Sequence, residues 1–333
     1  MYKQEKLLSI CIPTYCRALY LHETLDSLSA ALKGFKEEVE VIVSDNASTD
    51  NTAEILAKFQ TRLPNFRRNR NNVNLGAELN FLQVLHLAKG KYIWILGDDD
   101  REDPRLIGAL LEKLRSDCDM VIMNHSVHSK DFKITHKKAI HSVSVPEHYD
   151  GKDVILANFG PIIGFISCVV IKRNLLAKTS EEEFKKYSSY GLSFLYSVYA
   201  CLPCNTTATF IQKPLLHCRG GNSVLAEYES YERIFIDGMA MVFDSLRELG
   251  YSQSAINLAK KKVIRMYLLQ YIIKKKRDRT FSIKTFRKIH VGFSHCFPDY
   301  LRVIIYSITP RFLIEAAKSI QGMRCFHMAS ISR

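Results

Sequence analysis

The chain has 333 residues, 47% of them hydrophobic, with 15 glycines and a formal net charge of +13. That length holds one large domain or two modest ones, and that apolar share excludes a disordered or collagen-like chain. Nine cysteines, an odd and scattered set, argue against a disulfide framework and for a reducing, cytoplasmic setting.

The charge is unevenly spread. Residues 255 to 333 hold 17 Lys and Arg against 3 acidic residues, a net of +14, whereas the other 254 residues hold 30 basic and 31 acidic, a net of −1. A basic tail on a neutral body belongs to an anionic partner, nucleic acid or an anionic membrane. The start, MYKQEKLLSI, is charged with a short apolar run and has no small-residue cleavage site, so no signal peptide is expected. The longest nearly uncharged stretch, Gly160 to Ile171, is too short to span a bilayer.

In chain order, Leu7 to Pro13 is apolar and β-prone, and Leu19 to Leu32 carries apolar residues at helical spacing. Val39 to Asp45 predicts a second strand, and the capping-rich NASTD opens a helix over Thr52 to Phe59. The Asn-rich NRNNVNLGAELN leads into a helix ending near Ala88. KYIWIL predicts the next strand, followed by Asp98, Asp99 and Asp100 and a helix from about Pro104 to Arg115. Asp119 to Asn124 predicts a fourth strand. Strands separated by helices of this length imply parallel βαβ units with helices on both faces. Residues 126 to 150 read as a polar hairpin or excursion, 151 to 216 as mixed structure, and Cys218 to Ser230 as a loop. Beyond it, helices are expected over Tyr231 to Leu249 and Ser254 to Lys276, then two shorter apolar-basic segments.

In an open α/β sheet the carboxyl ends of the strands form the ligand crevice. Pro13 to Arg17, Asp45 and Asp98 to Asp100 all follow strand ends. Three adjacent carboxylates are tolerable when solvated, capping the next helix, or when a cation compensates them; a divalent metal shared with a diphosphate is one such arrangement. Cys201 and Cys204 form a lone CxxC with His217 and Cys218 further on, which reads as a zinc site or, more simply, as free thiols. Neither GxxxxGK[ST] nor GxGxxG occurs, which disfavours a P-loop NTPase or a dinucleotide dehydrogenase.

SICIPTYCR, VIVSDNASTDNT, NVNLGAELN and YIWILGDDD follow the order and spacing of the family 2 glycosyltransferases of the GT-A fold. The resemblance is strong over residues 7 to 124 and continues more weakly to about 225. The overall length, LGDDD and GFISCVVIKR are most similar to the abequosyltransferase-type enzymes of O-antigen assembly in Gram-negative bacteria. It implies a GT-A fold (Rossmann-like, a mostly parallel central sheet with helices on both faces) plus a basic C-terminal helical region. Residues 1–125 would be the nucleotide-sugar-binding half, 126–230 the acceptor-binding half and 231–333 the helical region.

By this resemblance Pro13, Thr14, Tyr15 and Arg17 hold the nucleotide. Asp45 hydrogen-bonds the base, where a carboxylate accepts from a cytosine amino group or a uracil imide alike. Asp98, Asp99 and Asp100 correspond to the DxD signature, with Asp100 and Asp98 as ligands of Mn²⁺ or Mg²⁺. Gly97 stands where family members often carry a leading Asp, so the ligand register is open. Arg219 is expected at the diphosphate and His217 as a further metal ligand. The acidic ED of inverting members, the acceptor base, is absent between Gly164 and Tyr199; Glu181, Glu182 and Glu183 are the nearest carboxylates.

The tail places Val263, Ile264, Met266, Tyr267, Leu268, Tyr271 and Ile272 between lysine clusters, and residues 300 to 320 add amphipathic surface. Such helices lie on an anionic membrane or pack on the body. No nucleic-acid-binding motif is present, and a lipid-linked acceptor requires a membrane location. The resemblance thus implies transfer from a CDP- or UDP-linked sugar, a CDP-linked dideoxyhexose by the nearest likeness. The acceptor would be an undecaprenyl-diphosphate-linked oligosaccharide, with the enzyme peripheral on the inner face of the inner membrane. A non-catalytic scaffold of the same fold and a sugar nucleotidyltransferase are the competing readings.

Overall fold

The computed structural model describes residues 5–63, 65–139, 145–177, 180–221, 228–310 and 312–313, without the side chains of residues 183, 228 and 229. Strand β1 (Leu8–Thr14), helix α1 (Ala18–Ala31), strand β2 (Val39–Asp45), helix α2 (Thr52–Phe59), strand β3 (Phe66–Arg70), helix α3 (Ala77–Leu87) and strand β4 (Tyr92–Ile95) form three successive βα units. Every residue of β1, β2 and β4 is buried, as expected of parallel strands covered on both faces.

Next come the two-residue β5 (Arg101–Glu102), α4 (Leu106–Arg115), β6 (Met120–His128), β7 (Thr135–Lys137), β8 (His148–Asp150), α5 (Lys152–Phe159), β9 (Val169–Lys172), α6 (Arg173–Leu176), α7 (Glu181–Lys186), α8 (Ser193–Cys201) and β10 (Thr207–Arg219). The sheet order is β3-β2-β1-β4-β9-β6-β10-β5, with β7 on β6 and β8 on β10. β1 is parallel to β2 and β4, and β6 to β10, whereas β9 is antiparallel to both neighbours. This is the mostly parallel central sheet the sequence predicts, with β9 reversed in its middle and the short β5, β7 and β8 antiparallel to β10, β6 and β10.

Two strands differ from expectation. β3, FRRNR, is not among the expected strands and meets the stretch read as a lead-in to a helix only at Asn69 and Arg70; it is a polar strand at the sheet's end, with Phe66 buried and Arg68 and Arg70 exposed, as edge strands commonly are. β10 runs through Arg219, so Cys218 and Arg219 are strand residues and not a loop. Its pairing with β6 shifts between Ile211 and Leu216, where Pro214 cannot donate to a ladder. The excursion after β6 is a hairpin, β7 pairing antiparallel with β6.

The C-terminal part is helical. α9 (Tyr228–Tyr231) runs through a π-helical segment, Glu232–Gly238, into α10 (Met239–Ser245). α11 (Gln253–Val263) runs through a second, Ile264–Leu268, into α12 (Leu269–Arg277), followed by α13 (Ile283–Phe293) and α14 (Asp299–Ile308). α11 packs on α5 where Gly160 comes close: a Cβ there would lie 3.1 Å from the Ala259 Cα. Lys260 is wholly buried, donating to Asp244 (2.6 Å) and to the Gly292 carbonyl (3.0 Å). One apolar cluster extends from Leu8 to Val303.

Candidate active site

Because β1, β2 and β4 run parallel, Thr14, Asp45 and the loop after Ile95 reach the same edge of the sheet. Asp98 is buried there; its carboxylate accepts from Thr14 Oγ1 (2.7 Å) and pairs with Arg17 Nη1 (2.9 Å). Arg17 Nη2 donates to Asp99 at 2.5 Å. Asp100, also buried, accepts from Ser167 Oγ (2.6 Å) and from the Arg219 N–H (3.1 Å), while its carbonyl accepts from Thr24 Oγ1 (2.8 Å).

Gly97 has a physical reason. A Cβ at this position would lie 2.9 Å from an Asp100 carboxylate oxygen and 3.2 Å from Ser167 Oγ. Its N–H donates to Ser167 Oγ at 2.9 Å, so the hydroxyl from the turn before β9 ties both ends of the carboxylate loop together. A leading aspartate here would have to displace the Asp100 carboxylate and the Ser167 hydroxyl.

Burial dominates the electrostatics. It pushes Asp98 up to about 6, with Arg17 opposing and Asp99 assisting, and Asp100 up to about 7, with Asp99 assisting and Ser167 opposing. The neighbouring Glu102, bonded to Ser27 Oγ at 2.5 Å, is pushed by burial up to about 8. Three carboxylates against one guanidinium leave excess negative charge in a buried turn. Hard oxygen donors of this kind fit Mn²⁺ or Mg²⁺ completing its shell with ligand oxygens. Among the described residues no three His, Cys, Asp or Glu side chains form a metal-binding group. The CxxC likewise gathers no such group among the described residues: Cys201 is buried and Cys204 exposed.

Arg219 is not a free cation. Its side chain is 2% exposed; Nε donates to the Asp99 carbonyl (2.9 Å), Nη1 to the Lys130 carbonyl (2.5 Å) and Nη2 to Glu23. Its guanidinium lies between the Tyr20 and Phe132 rings, 4.9 and 4.3 Å from their centroids. It braces the carboxylate loop against α1 and the β6–β7 turn, and all three of its nitrogens are engaged.

His217 points elsewhere. Its Nδ1 is 2.8 Å from Ser126 Oγ and its ring meets His128 edge-on. On a strand, successive side chains take opposite faces, and the next residue, Cys218, is the one beside Asp100: burial first, then Asp100 and Asp99, push its thiol up. The structure thus separates His217 from the aspartates and brings Cys218, Ser167 and Thr24 to them instead, with Glu23 reaching them only through Arg219. Of the expected closing loop, residues 222 and 223 lie outside the described residues.

Asp45 is buried and accepts from the Ser48 N–H (2.9 Å) and from Arg70 on β3. The Asn-rich stretch is largely exposed but is tied down by an amide network onto the buried Asn46 and Asn80: Asn46 Oδ1 accepts from Asn71 and from the Leu75 N–H (both 2.9 Å), and Asn80 joins Ser44 and Asn71. Pro13 is buried and Tyr15 exposed at the rim. Glu181 and Glu182 are exposed on α7, Glu181 paired with Lys185 at 2.5 Å; α7 packs on α3 and α8, and neither carboxylate touches the loop. The Glu183 side chain lies outside the described residues.

A model described as Glycosyl transferase family 2 matches residues 9–178. Abequosyltransferase RfbV of Salmonella typhimurium is 30% identical over 246 residues, covering 70% of this chain and 73% of its own. S. aureus TarS 1-349 in complex with UDP-GlcNAc superposes with a TM-score of 0.58 at 15% identity, over 94% of this chain and 92% of that one. Mannosyltransferase PcManGT from Pyrobaculum calidifontis, in complex with GDP-Man and Mn²⁺, gives 0.54 at 13%, over 96% and 89%. With the sheet order and the strand-end crevice, these matches place the chain in glycosyl transferase family 2, a glycosyltransferase with the GT-A fold.

Proposed function

We propose that the enzyme transfers a sugar from a nucleotide sugar to an undecaprenyl-diphosphate-linked oligosaccharide in O-antigen assembly. The donor is a CDP-linked dideoxyhexose such as abequose, a choice supported by the likeness to RfbV. Residues 1–125 take the nucleotide, 126–230 the acceptor, and 231–333 the membrane side. The observation that carries the reading is the buried Asp98–Asp100 loop at the ends of three parallel strands, held by Thr14, Arg17 and Ser167.

In this reading Tyr15 stacks on the base and Asp45, oriented by Arg70 and Ser48, accepts from the cytosine amino group. Arg17 exchanges Asp99 for a diphosphate oxygen when the donor enters. Asp98 and Asp100 would hold Mn²⁺ or Mg²⁺, which would supply the charge that neutralises the departing diphosphate. Arg219 positions the loop through the Asp99 carbonyl and its own N–H on Asp100. The acceptor hydroxyl attacks the anomeric carbon, its proton leaves to a base, and the C–O bond to the diphosphate breaks.

The test is a transfer assay with radiolabelled CDP- and UDP-sugars and a lipid-linked oligosaccharide. Label passing from the CDP-sugar into the lipid phase is expected. Nucleotide binding without transfer from any donor would replace this reading by a non-catalytic scaffold.

A further inference from the structure

The basic tail divides into two in the structure. Val263, Ile264, Leu268, Tyr271 and Ile272 are buried, so that apolar stripe is used in packing on the body. The end of the tail is different: Phe297, Leu301, Ile305, Ile308 and Phe312 are 67, 43, 49, 74 and 67% exposed. Leu301, Ile305 and Ile308 fall at i, i+4 and i+7 on α14, one face of a helix. Phe297 and Phe312 lie just beyond the two ends of the helix. The inner face of α14 is occupied by Tyr300 and Val303, both buried.

The polar groups around this face are satisfied or positive. Lys276 Nζ donates to the carbonyls of Tyr306 (3.1 Å), Ser307 (2.6 Å) and Thr309 (2.6 Å), closing the helix end. Asp299, the acid nearest α14, has a side chain 2% exposed and is neutralised by Arg265 (2.6 Å) and Arg302 (3.3 Å), both of which reach solvent. Between residues 255 and 313 there are 14 Lys and Arg against Asp278 and Asp299. No helix among the described residues is long and apolar enough to cross a membrane.

We propose that this face of α14 is the membrane-docking surface: the apolar stripe enters the acyl boundary of an anionic bilayer, and the flanking cations meet lipid phosphates. The inference deepens the lipid-linked-acceptor reading and rests on it. A second copy of the chain is the poorer occupant. One ten-residue helix offers far less than the ~800 Å² per partner of a stable interface, and two tails of like charge repel.

The experiment is vesicle flotation of the full chain, comparing vesicles containing phosphatidylglycerol with phosphatidylcholine alone. The variants are Leu301→Gln/Ile305→Gln and, as a control at an exposed apolar residue elsewhere, Ile134→Gln. Wild type and I134Q should float with the anionic vesicles, whereas L301Q/I305Q should bind at least about tenfold more weakly, since each large aliphatic withdrawn from the acyl boundary is worth roughly that factor. Equal flotation of all three, no flotation of wild type, or a change of oligomeric mass in place of vesicle binding would overturn the proposal. CDP binding followed on the same samples keeps the readings apart. A double variant that binds nucleotide normally but no longer floats is folded, and nucleotide failure with intact flotation would count against the transferase reading alone.

Discussion

Replacing Arg219 by Met separates a structural brace from a phosphate clamp. The substitution keeps most of the side-chain volume and removes the guanidinium. It strands the Asp99 and Lys130 carbonyls, at about 1 kcal/mol each. It also removes the cation between Tyr20 and Phe132, about 1 kcal/mol more. Glu23 is not stranded, because it keeps Arg101 at 2.8 Å and is 31% exposed, so the ~3–5 kcal/mol of a broken buried pair does not apply in full. The sum is roughly 3 kcal/mol, and with a urea slope of about 3 kcal/mol/M for a chain of this size the midpoint falls by about 1 M. The assay is urea unfolding followed by fluorescence and circular dichroism, with kcat/KM measured beside it. Activity should fall together with stability. A midpoint within about 0.2 M of wild type, with kcat/KM collapsed, would refute the brace and return Arg219 to the diphosphate.

Other outcomes follow from the same geometry. Asp100→Asn should abolish the metal-dependent part of nucleotide binding, read by calorimetry with Mn²⁺ and with EDTA; unchanged metal dependence would remove Asp100 as a ligand. Glu181→Gln/Glu182→Gln should leave kcat within about twofold, since both are exposed on α7 and a lost general base costs about 10² or more. Gly90→Ala should cost about 1–3 kcal/mol in urea unfolding, because its Cβ would meet the Ser9 backbone nitrogen at 2.7 Å. Burial raises the Glu40 carboxyl, but Ser9, the Lys89 N–H and Arg67 bring it below its ordinary value. A depressed carboxylate stabilises above its unfolded value and loses that stabilisation as pH falls through its folded one. Glu40→Gln should therefore flatten the stability loss of wild type below about pH 4.5; an unchanged acid limb would contradict it.

The sequence was most legible where structure is local and buried. β1, β2, β4 and β6 read as strands because parallel strands covered on both faces are continuous apolar runs, and α2 has the predicted bounds, Thr52–Phe59. β3 and β10 escaped because an arginine-rich edge and a strand broken at Pro214 show neither continuous nor alternating apolarity. At the site, Thr14, Arg17 and Asp98 to Asp100 could be gathered in advance because strand ends in a parallel sheet converge. Ser167 and Arg219 reach Asp100 from 67 and 119 residues away, and nothing in FISCVV or HCRGG announces that contact. The sequence shows that Arg219 is basic, not that three acceptors already hold it. Likewise His217 and Cys218 are neighbours in sequence, and strand alternation sends only one of them to the aspartates.

The most direct test of the central claim is a thermal-shift panel of CDP, UDP, GDP and ADP, each with Mn²⁺ and with EDTA. A ligand at about 100 times its dissociation constant stabilises by roughly 2.7 kcal/mol, which such a panel resolves. The account predicts metal-dependent stabilisation by a pyrimidine diphosphate, CDP foremost, and its loss in Asp98→Asn and Asp100→Asn. No response to any nucleotide, with metal or without, would leave the buried aspartates as a braced structural turn and contradict the donor site.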